Sequence, residues 1–134
     1  MLSSIFLLLL LTLGDAPAKP IAAPAASRIS LKGQVACFVC WDEEDRTKTP
    51  YGTKDDLHCA ALCAKKGVPA SLAVTTNGTT ELYVLEEGAF KKGKDGWMPY
   101  MAKNVEVVGT QRQEAKRRIL KVDALTVVGE KDKK

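Results

Sequence analysis

A chain of 134 residues, 46% of them hydrophobic, is long enough to bury one hydrophobic core and too short for two ordinary domains. Its net charge of +4 comes from 20 basic and 16 acidic residues that are mixed along the sequence, without a long basic run. Charge alone therefore does not compel nucleic acid as a partner.

The N-terminal segment has the layout of a cleavable secretory signal peptide. A continuous apolar run extends from Ile5 to Leu13, and small-x-small sequences then allow cleavage after residue 18 or after residue 25. The run is shorter than the ~20 apolar residues that cross a bilayer, so no stable membrane span is expected after cleavage. We expect an exported protein, periplasmic or extracellular, with a signal peptide over 1–18 and an Ala/Pro-rich tether over 19–27.

The mature chain predicts one domain over 28–129, followed by a charged tail over 130–134. Apolar and polar residues alternate at the start of 28–41, which is typical of a half-buried strand. Residues 55–66 predict a short helix, because acidic residues stand at its start, lysines stand at its end and Gly67 follows it. This helix carries two cysteines between the first and second predicted strands.

Four further strands complete the predicted domain. Strands over 69–76 and 79–86 flank Asn77-Gly78, which is a strong hairpin signal, and two more strands are predicted over 104–112 and 118–128. Five strands in about a hundred residues, with short helices between them, favour a small closed barrel. The predicted fold is all-β with short helices: a five-stranded OB-like Greek-key barrel with a cysteine-bearing helix between strands 1 and 2.

A set of short motifs connects this chain to a known family. The motifs are Gly33-Gln34-Val35, Cys40-Trp41, Cys59-Ala60-x-x-Cys63, Gly67-x-Pro69 and Val105-x-Val107-x-Gly109. From about residue 31 to residue 128, the chain resembles a family of small exported bacterial domains that are OB-fold-like and mostly uncharacterised. The resemblance implies the fold and the exported location, and it implies no settled activity. The family pattern has Asp at the position of Cys37 and His at that of Asp56.

The cysteines are the most informative residues for function. Cys37, Cys40, Cys59 and Cys63, with the single histidine His58, lie within 27 residues of sequence. An even number of cysteines in an exported protein favours disulfides. Regular helix and strand geometry disfavours pairing within either element, so the expected disulfides are 37–59 with 40–63, or 37–63 with 40–59.

A metal site and a redox pair are the alternatives to disulfides. A C-x₂-C pair followed by a C-x₃-C pair on a helix can present thiolates to a soft metal ion, zinc or copper, if the chain bends after Cys37. His58 is a further candidate ligand of that site. A thiol redox role for Cys37 and Cys40 ranks third, because this pair ends a strand and does not start a helix. Attached c-type haem is excluded, since residue 41 is Trp and not His.

A Lys-rich loop is a second candidate site. OB-type barrels bind single strands or glycans by stacking them on exposed aromatic side chains over a basic groove. The candidate ligand-binding residues in this loop are Lys91, Lys92, Lys94, Trp97 and Tyr100.

Taken together, these patterns predict a binding or accessory module and no enzyme, since a single histidine supports no catalytic triad. We expect its four-cysteine cluster to be disulfide-stapled, and to bind metal when it is reduced. The alternative is an OB module that binds an oligosaccharide, a peptide or nucleic acid through the 91–100 loop.

Overall fold

A computed structural model of the chain describes residues 26–129. The predicted signal peptide over 1–18, most of the tether and the tail over 130–134 lie outside the described residues. The described part contains five strands, one α-helix and two 3₁₀ turns. They are, in chain order, β1 (Ser27–Cys37), the turn Cys40–Glu43, α1 (Lys54–Lys65), β2 (Ala70–Thr76), β3 (Thr79–Glu87), the turn Met98–Tyr100, β4 (Asn104–Glu114) and β5 (Arg117–Val127).

The five strands close into a barrel in the order β1-β2-β3-β5-β4. Strands β3 and β5 pair in parallel, and the other neighbouring pairs are antiparallel. The long strand β1 closes the barrel because its residues 27–34 pair with β4 and its residues 34–37 pair with β2. The prediction of a mostly β, five-stranded closed barrel is confirmed.

The barrel interior is filled by aliphatic side chains that alternate along the strands. The largest fully buried ones are Val35, Leu72, Val105, Val107, Leu120 and Val122. The β2–β3 hairpin turns at Asn77 and Gly78, whose φ angles of +52° and +79° are those that a tight two-residue hairpin turn requires. The predicted hairpin is therefore confirmed within one residue at each strand end.

The first strand is shorter than the sequence predicts. It ends at Cys37, and the chain then turns into the Cys40–Glu43 3₁₀ segment, so the predicted continuation of the strand to Trp41 is wrong. The physical reason is a side-chain-to-backbone contact within the loop, since the buried guanidinium of Arg46 donates hydrogen bonds to the backbone oxygens of Cys40 and Trp41 at 2.6 and 2.9 Å. The turn leaves Val39 half exposed, although the alternating pattern continues through it.

Helix α1 begins at a capping box. The Thr53 hydroxyl accepts a hydrogen bond from the Asp56 N–H at 3.2 Å, and the Asp56 carboxylate accepts one from the Thr53 N–H at 3.0 Å. The helix packs against β1 and the Cys40–Glu43 turn, with Ala60 buried at the contact. Within 26–129, no helix has the length and apolar character that crossing a membrane requires.

Gly109 allows β4 and β5 to approach closely at a bulge. A Cβ atom at this position would lie 2.1 Å from the backbone oxygen of Lys121, which cannot move without breaking the ladder. We expect Gly109→Ala to lower the free energy of unfolding by about 2–3 kcal/mol, as measured by urea denaturation. Gly93→Ala is the control, because it meets no atom within 4 Å and costs only the strain of a positive φ, about 1 kcal/mol. Equal losses in the two variants would contradict this explanation.

Candidate metal centre

The end of β1 and the helix α1 bring the cysteines together. Cys37 is the last residue of β1, Cys40 opens the following turn, and Cys59 and Cys63 are one helical turn apart on α1. The bend after Cys37, which a metal site requires, is thus present. Within the described residues all four are free thiols, and the disulfides expected from the sequence are not formed.

Three sulfur atoms of this group lie at the spacing of metal ligands. The Sγ atoms of Cys37, Cys40 and Cys63 all lie within 4.8 Å of one another, and those of Cys40 and Cys63 are 3.7 Å apart. A tetrahedral ion with metal–sulfur bonds of ~2.3 Å holds its sulfurs about 3.8 Å apart, whereas a disulfide holds them ~2.05 Å apart. The Cys40–Cys63 distance therefore matches one edge of a metal–thiolate tetrahedron. We call Cys37, Cys40 and Cys63 the three-sulfur cluster.

Cys59 belongs to a second, overlapping group. Its Sγ lies within 4.8 Å of Cys40 Sγ and of a Glu43 carboxylate oxygen, and its thiol donates to Glu43 Oε2 at 3.9 Å. Cys40 is the member that the two groups share. His58 belongs to neither group and is exposed on α1, so the structure does not bring this candidate ligand into the cluster.

Two of the three cysteines in the cluster are almost completely buried. Cys37 is 2% exposed and Cys40 is 1% exposed, whereas Cys63 is partly exposed. Burial raises the pKa of the Cys40 thiol, and its thiol neighbours raise it further; burial also raises the pKa of Cys63. Without a cation the thiols of Cys40 and Cys63 therefore keep their protons, and a bound cation takes the place of those protons.

A buried ion pair supports the turn that carries Cys40. Arg46 bonds the backbone oxygens of Cys40 and Trp41, and its guanidinium lies 3.1 Å from Asp56 Oδ1. Both side chains of the pair are nine-tenths or more buried. Arg46 was not predicted as a functional residue from the sequence. Its position, directly after the four acidic residues over 42–45 and before the capping box of α1, is the sequence feature that could have indicated it.

A second set of hydrogen bonds fixes the backbone of Cys37. Its N–H donates to the Tyr51 hydroxyl at 3.1 Å, and that hydroxyl donates to Met101 Sδ at 3.6 Å. Burial raises the pKa of Tyr51 to about 12, so the phenol keeps its proton and remains a donor. Tyr51 and Met101 thus connect β1 to the segment before β4, and neither residue was singled out by sequence.

The aromatic residues of the Lys-rich loop pack inward. Trp97 is 8% exposed and stacks on Phe90 with 5.9 Å between ring centroids, while Tyr100 meets Phe90 edge-on at 5.7 Å. Lys92 Nζ lies 5.9 Å from the centre of the Trp97 ring, and Lys91 and Lys94 are exposed. Of the five candidate residues, the structure exposes Lys91 and Lys94, and it partly buries Lys92 and Tyr100. Trp97 is buried against Phe90, and Lys92 and Trp97 both line one cavity.

Comparisons with known proteins leave the site to be interpreted on its own geometry. No protein-family model matches the chain, and no curated protein or solved structure matches it.

Proposed function

We propose that this domain is a metal-binding module whose three-sulfur cluster holds one soft metal ion. The observation that carries the proposal is the convergence of Cys37, Cys40 and Cys63 Sγ within 4.8 Å, with one pair at the separation of ligands on a tetrahedral ion. Thiolate ligands select soft ions such as zinc or Cu(I) over magnesium or calcium. The protein's role in this proposal is to bind and hold the ion, without catalysis.

The scaffold in this proposal is an OB-like Greek-key barrel in an exported protein. The strand order β1-β2-β3-β5-β4 and the parallel pairing of β3 with β5 support the OB-like fold. The apolar run from Ile5 to Leu13 supports export. Because disulfides form readily outside the cytoplasm, we propose that the ion keeps the thiols reduced by occupying them.

The scaffold gives the ligands a fixed arrangement before any ion binds. Cys37 is held by the Tyr51 hydroxyl and Cys40 by the Arg46 guanidinium, each through its backbone. Cys63 is held by a capped helix that packs on β1. Preorganised ligands bind metal more tightly because less conformational freedom is lost when the ion arrives. Cys59 and Glu43, which adjoin Cys40, are the nearest further donors.

The test is the metal stoichiometry of the reduced mature protein. With zinc as the probe, native mass spectrometry is expected to show one bound ion, and Co²⁺ in its place is expected to show sulfur-to-metal charge-transfer absorption. Cys63→Ser removes a ligand of the cluster and should lower zinc affinity about 10–100-fold or more. His58→Ser is the matched control on the same helix, and it should bind as the wild type does. One result would contradict the proposal: protein purified from an oxidising compartment contains two disulfides and, after reduction, binds neither zinc nor Co²⁺.

A further inference from the structure

A cavity of about 360 Å³ adjoins the three-sulfur cluster, between α1 and the segment before β4. Cys37 forms part of its wall, so the cavity and the cluster share a residue. Two of the chain's three methionines, Met98 and Met101, also line it. The small side chains of Ala60 and Ala64 on α1 leave the space open. Three sulfur-bearing residues, one of them a cysteine of the cluster, therefore share the wall of one cavity with Lys92, Asp95 and mostly apolar side chains.

The thioether of Met101 is held next to Cys37 by two hydrogen bonds. The Tyr51 hydroxyl accepts from the Cys37 N–H at 3.1 Å and donates to Met101 Sδ at 3.6 Å. Met101 is 8% exposed, so this sulfur is both buried and fixed in position. The bond to Met101 satisfies the buried Tyr51 hydroxyl, and it places a thioether two hydrogen bonds away from the Cys37 backbone.

The set of donors distinguishes between the two soft ions. Structural zinc sites are almost always four-coordinate and use thiolate, imidazole or carboxylate, whereas thioether is a ligand of Cu(I). The cluster supplies three mutually close sulfurs. Cys59 and Glu43, which could give zinc a fourth ligand, fall in a group that shares only Cys40 with the cluster, and the only imidazole, that of His58, lies outside both groups. The further sulfurs along the cavity are thioethers. These donors suit a monovalent soft ion better than zinc.

We propose that the cluster binds Cu(I) in preference to zinc, and that the thioethers of Met98 and Met101 line the route by which the ion reaches Cys37. This inference rests on the proposed metal-binding function and names its ion. As Cu(I) binds, it leaves its chelator for the cysteine sulfurs, and the displaced thiol protons pass to the solvent. Copper stays monovalent throughout, so no oxidant or reductant is consumed.

The experiment uses reduced mature protein without oxygen, with Cu(I) supplied as its bicinchoninate complex and zinc supplied as Zn²⁺. Equimolar Cu(I) is expected to displace zinc from the wild type. In the double variant Met98→Leu/Met101→Leu, side-chain volume is kept and both thioethers are removed. We expect Cu(I) uptake to slow about tenfold, with zinc uptake unchanged. Leu85→Ile, which alters the same cavity wall without touching a sulfur, should take up both ions at wild-type rates.

Three outcomes would overturn the inference, and they separate it from the proposed function. If zinc binds and Cu(I) does not displace it, the choice of ion is wrong while the metal-binding function stands. If the double variant takes up Cu(I) at the wild-type rate, or Leu85→Ile slows it equally, the thioether route is wrong. If neither ion binds, both the inference and the proposed function fail.

Discussion

Replacing Asp56 by Ala is expected to lower the free energy of unfolding by about 3–5 kcal/mol, because it removes the buried counter-charge of Arg46 and leaves only the half-exposed Glu44 carboxylate, 3.9 Å away. The Asp56 carboxylate lies 3.1 Å from Arg46 Nη2 and also accepts hydrogen bonds from the N–H groups of Gly52 and Thr53 at 2.9 and 3.0 Å. The change therefore breaks an ion pair and a helix cap together. Urea denaturation followed by tryptophan fluorescence measures the loss.

Asp45→Ala is the control for this prediction. Asp45 lies in the same loop and also has cationic and hydroxyl partners, Lys48 and Thr47, but these interactions are exposed to water. Exposed ion pairs contribute little, so we expect a small change in stability. If Asp45→Ala and Asp56→Ala cost the same, burial of the Arg46–Asp56 pair is not the source of its effect.

The pH dependence of stability gives a second test of Asp56. Burial by itself raises the pKa of this carboxyl, but the N–H groups of Gly52 and Thr53, the Thr53 hydroxyl and the Arg46 guanidinium together lower the pKa below its usual 3.8. A carboxyl with a lowered pKa stabilises the fold above pH 3.8 and loses that contribution as the pH falls through its folded-state value. The difference in stability between the wild type and Asp56→Ala is therefore expected to shrink below pH 3.8. A constant difference down to pH 2 would contradict this account.

The effect of Asp56 should also reach the three-sulfur cluster. Arg46, which Asp56 pairs with, bonds the backbone oxygen of Cys40 at 2.6 Å and so holds the turn that carries this ligand. If the proposed metal function is correct, Asp56→Ala should weaken zinc binding even under conditions where the variant is fully folded.

Much of the barrel could be predicted because its signals are local. The alternation of β4 and β5, the Asn77-Gly78 turn and the cap of α1 each depend on residues close in sequence, and each element lies within about two residues of its predicted place. The end of β1 could not be predicted in this way. Val39 and Trp41 continue the apolar alternation. Arg46 lies only five and six residues beyond Trp41 and Cys40, but its hydrogen bonds to their backbone oxygens follow no periodic pattern or turn rule that a sequence displays.

The sequence predicted which cysteines form the candidate site, but not how their sulfur atoms are arranged. The spacing of the cysteines indicated that strand end and helix meet, but it left disulfides ahead of metal, whereas the structure holds free thiols with the Cys40 and Cys63 sulfurs 3.7 Å apart. Tyr51 and Met101 could not be predicted, because the hydrogen bonds that link them to Cys37 form only when the barrel closes. The packing of Trp97 on Phe90 also depends on how the loop folds back on the barrel, which local sequence patterns do not predict.

Cys40 is expected to be the cysteine whose loss most reduces metal binding, because it is the one shared by both donor groups. Under the proposed function, Cys40→Ala should lower zinc affinity by at least about 100-fold. Cys59→Ala leaves the three-sulfur cluster intact, so its affinity should fall about tenfold or less. Competition against a chromophoric zinc chelator measures both affinities.

The same pair of variants gives a thermal readout that does not depend on a chelator. An ion that binds only the folded state stabilises it by about 2.7 kcal/mol when free ion stands at 100 times its Kd. Added zinc should therefore raise the Tm of the wild type and of Cys59→Ala and leave that of Cys40→Ala nearly unchanged. Each variant is compared with its own ion-free Tm, which removes the cost of truncating the buried Cys40 side chain from the comparison. A zinc-induced rise that survives in Cys40→Ala, or one that is lost equally in Cys59→Ala, would show that the ion is not centred on the three-sulfur cluster.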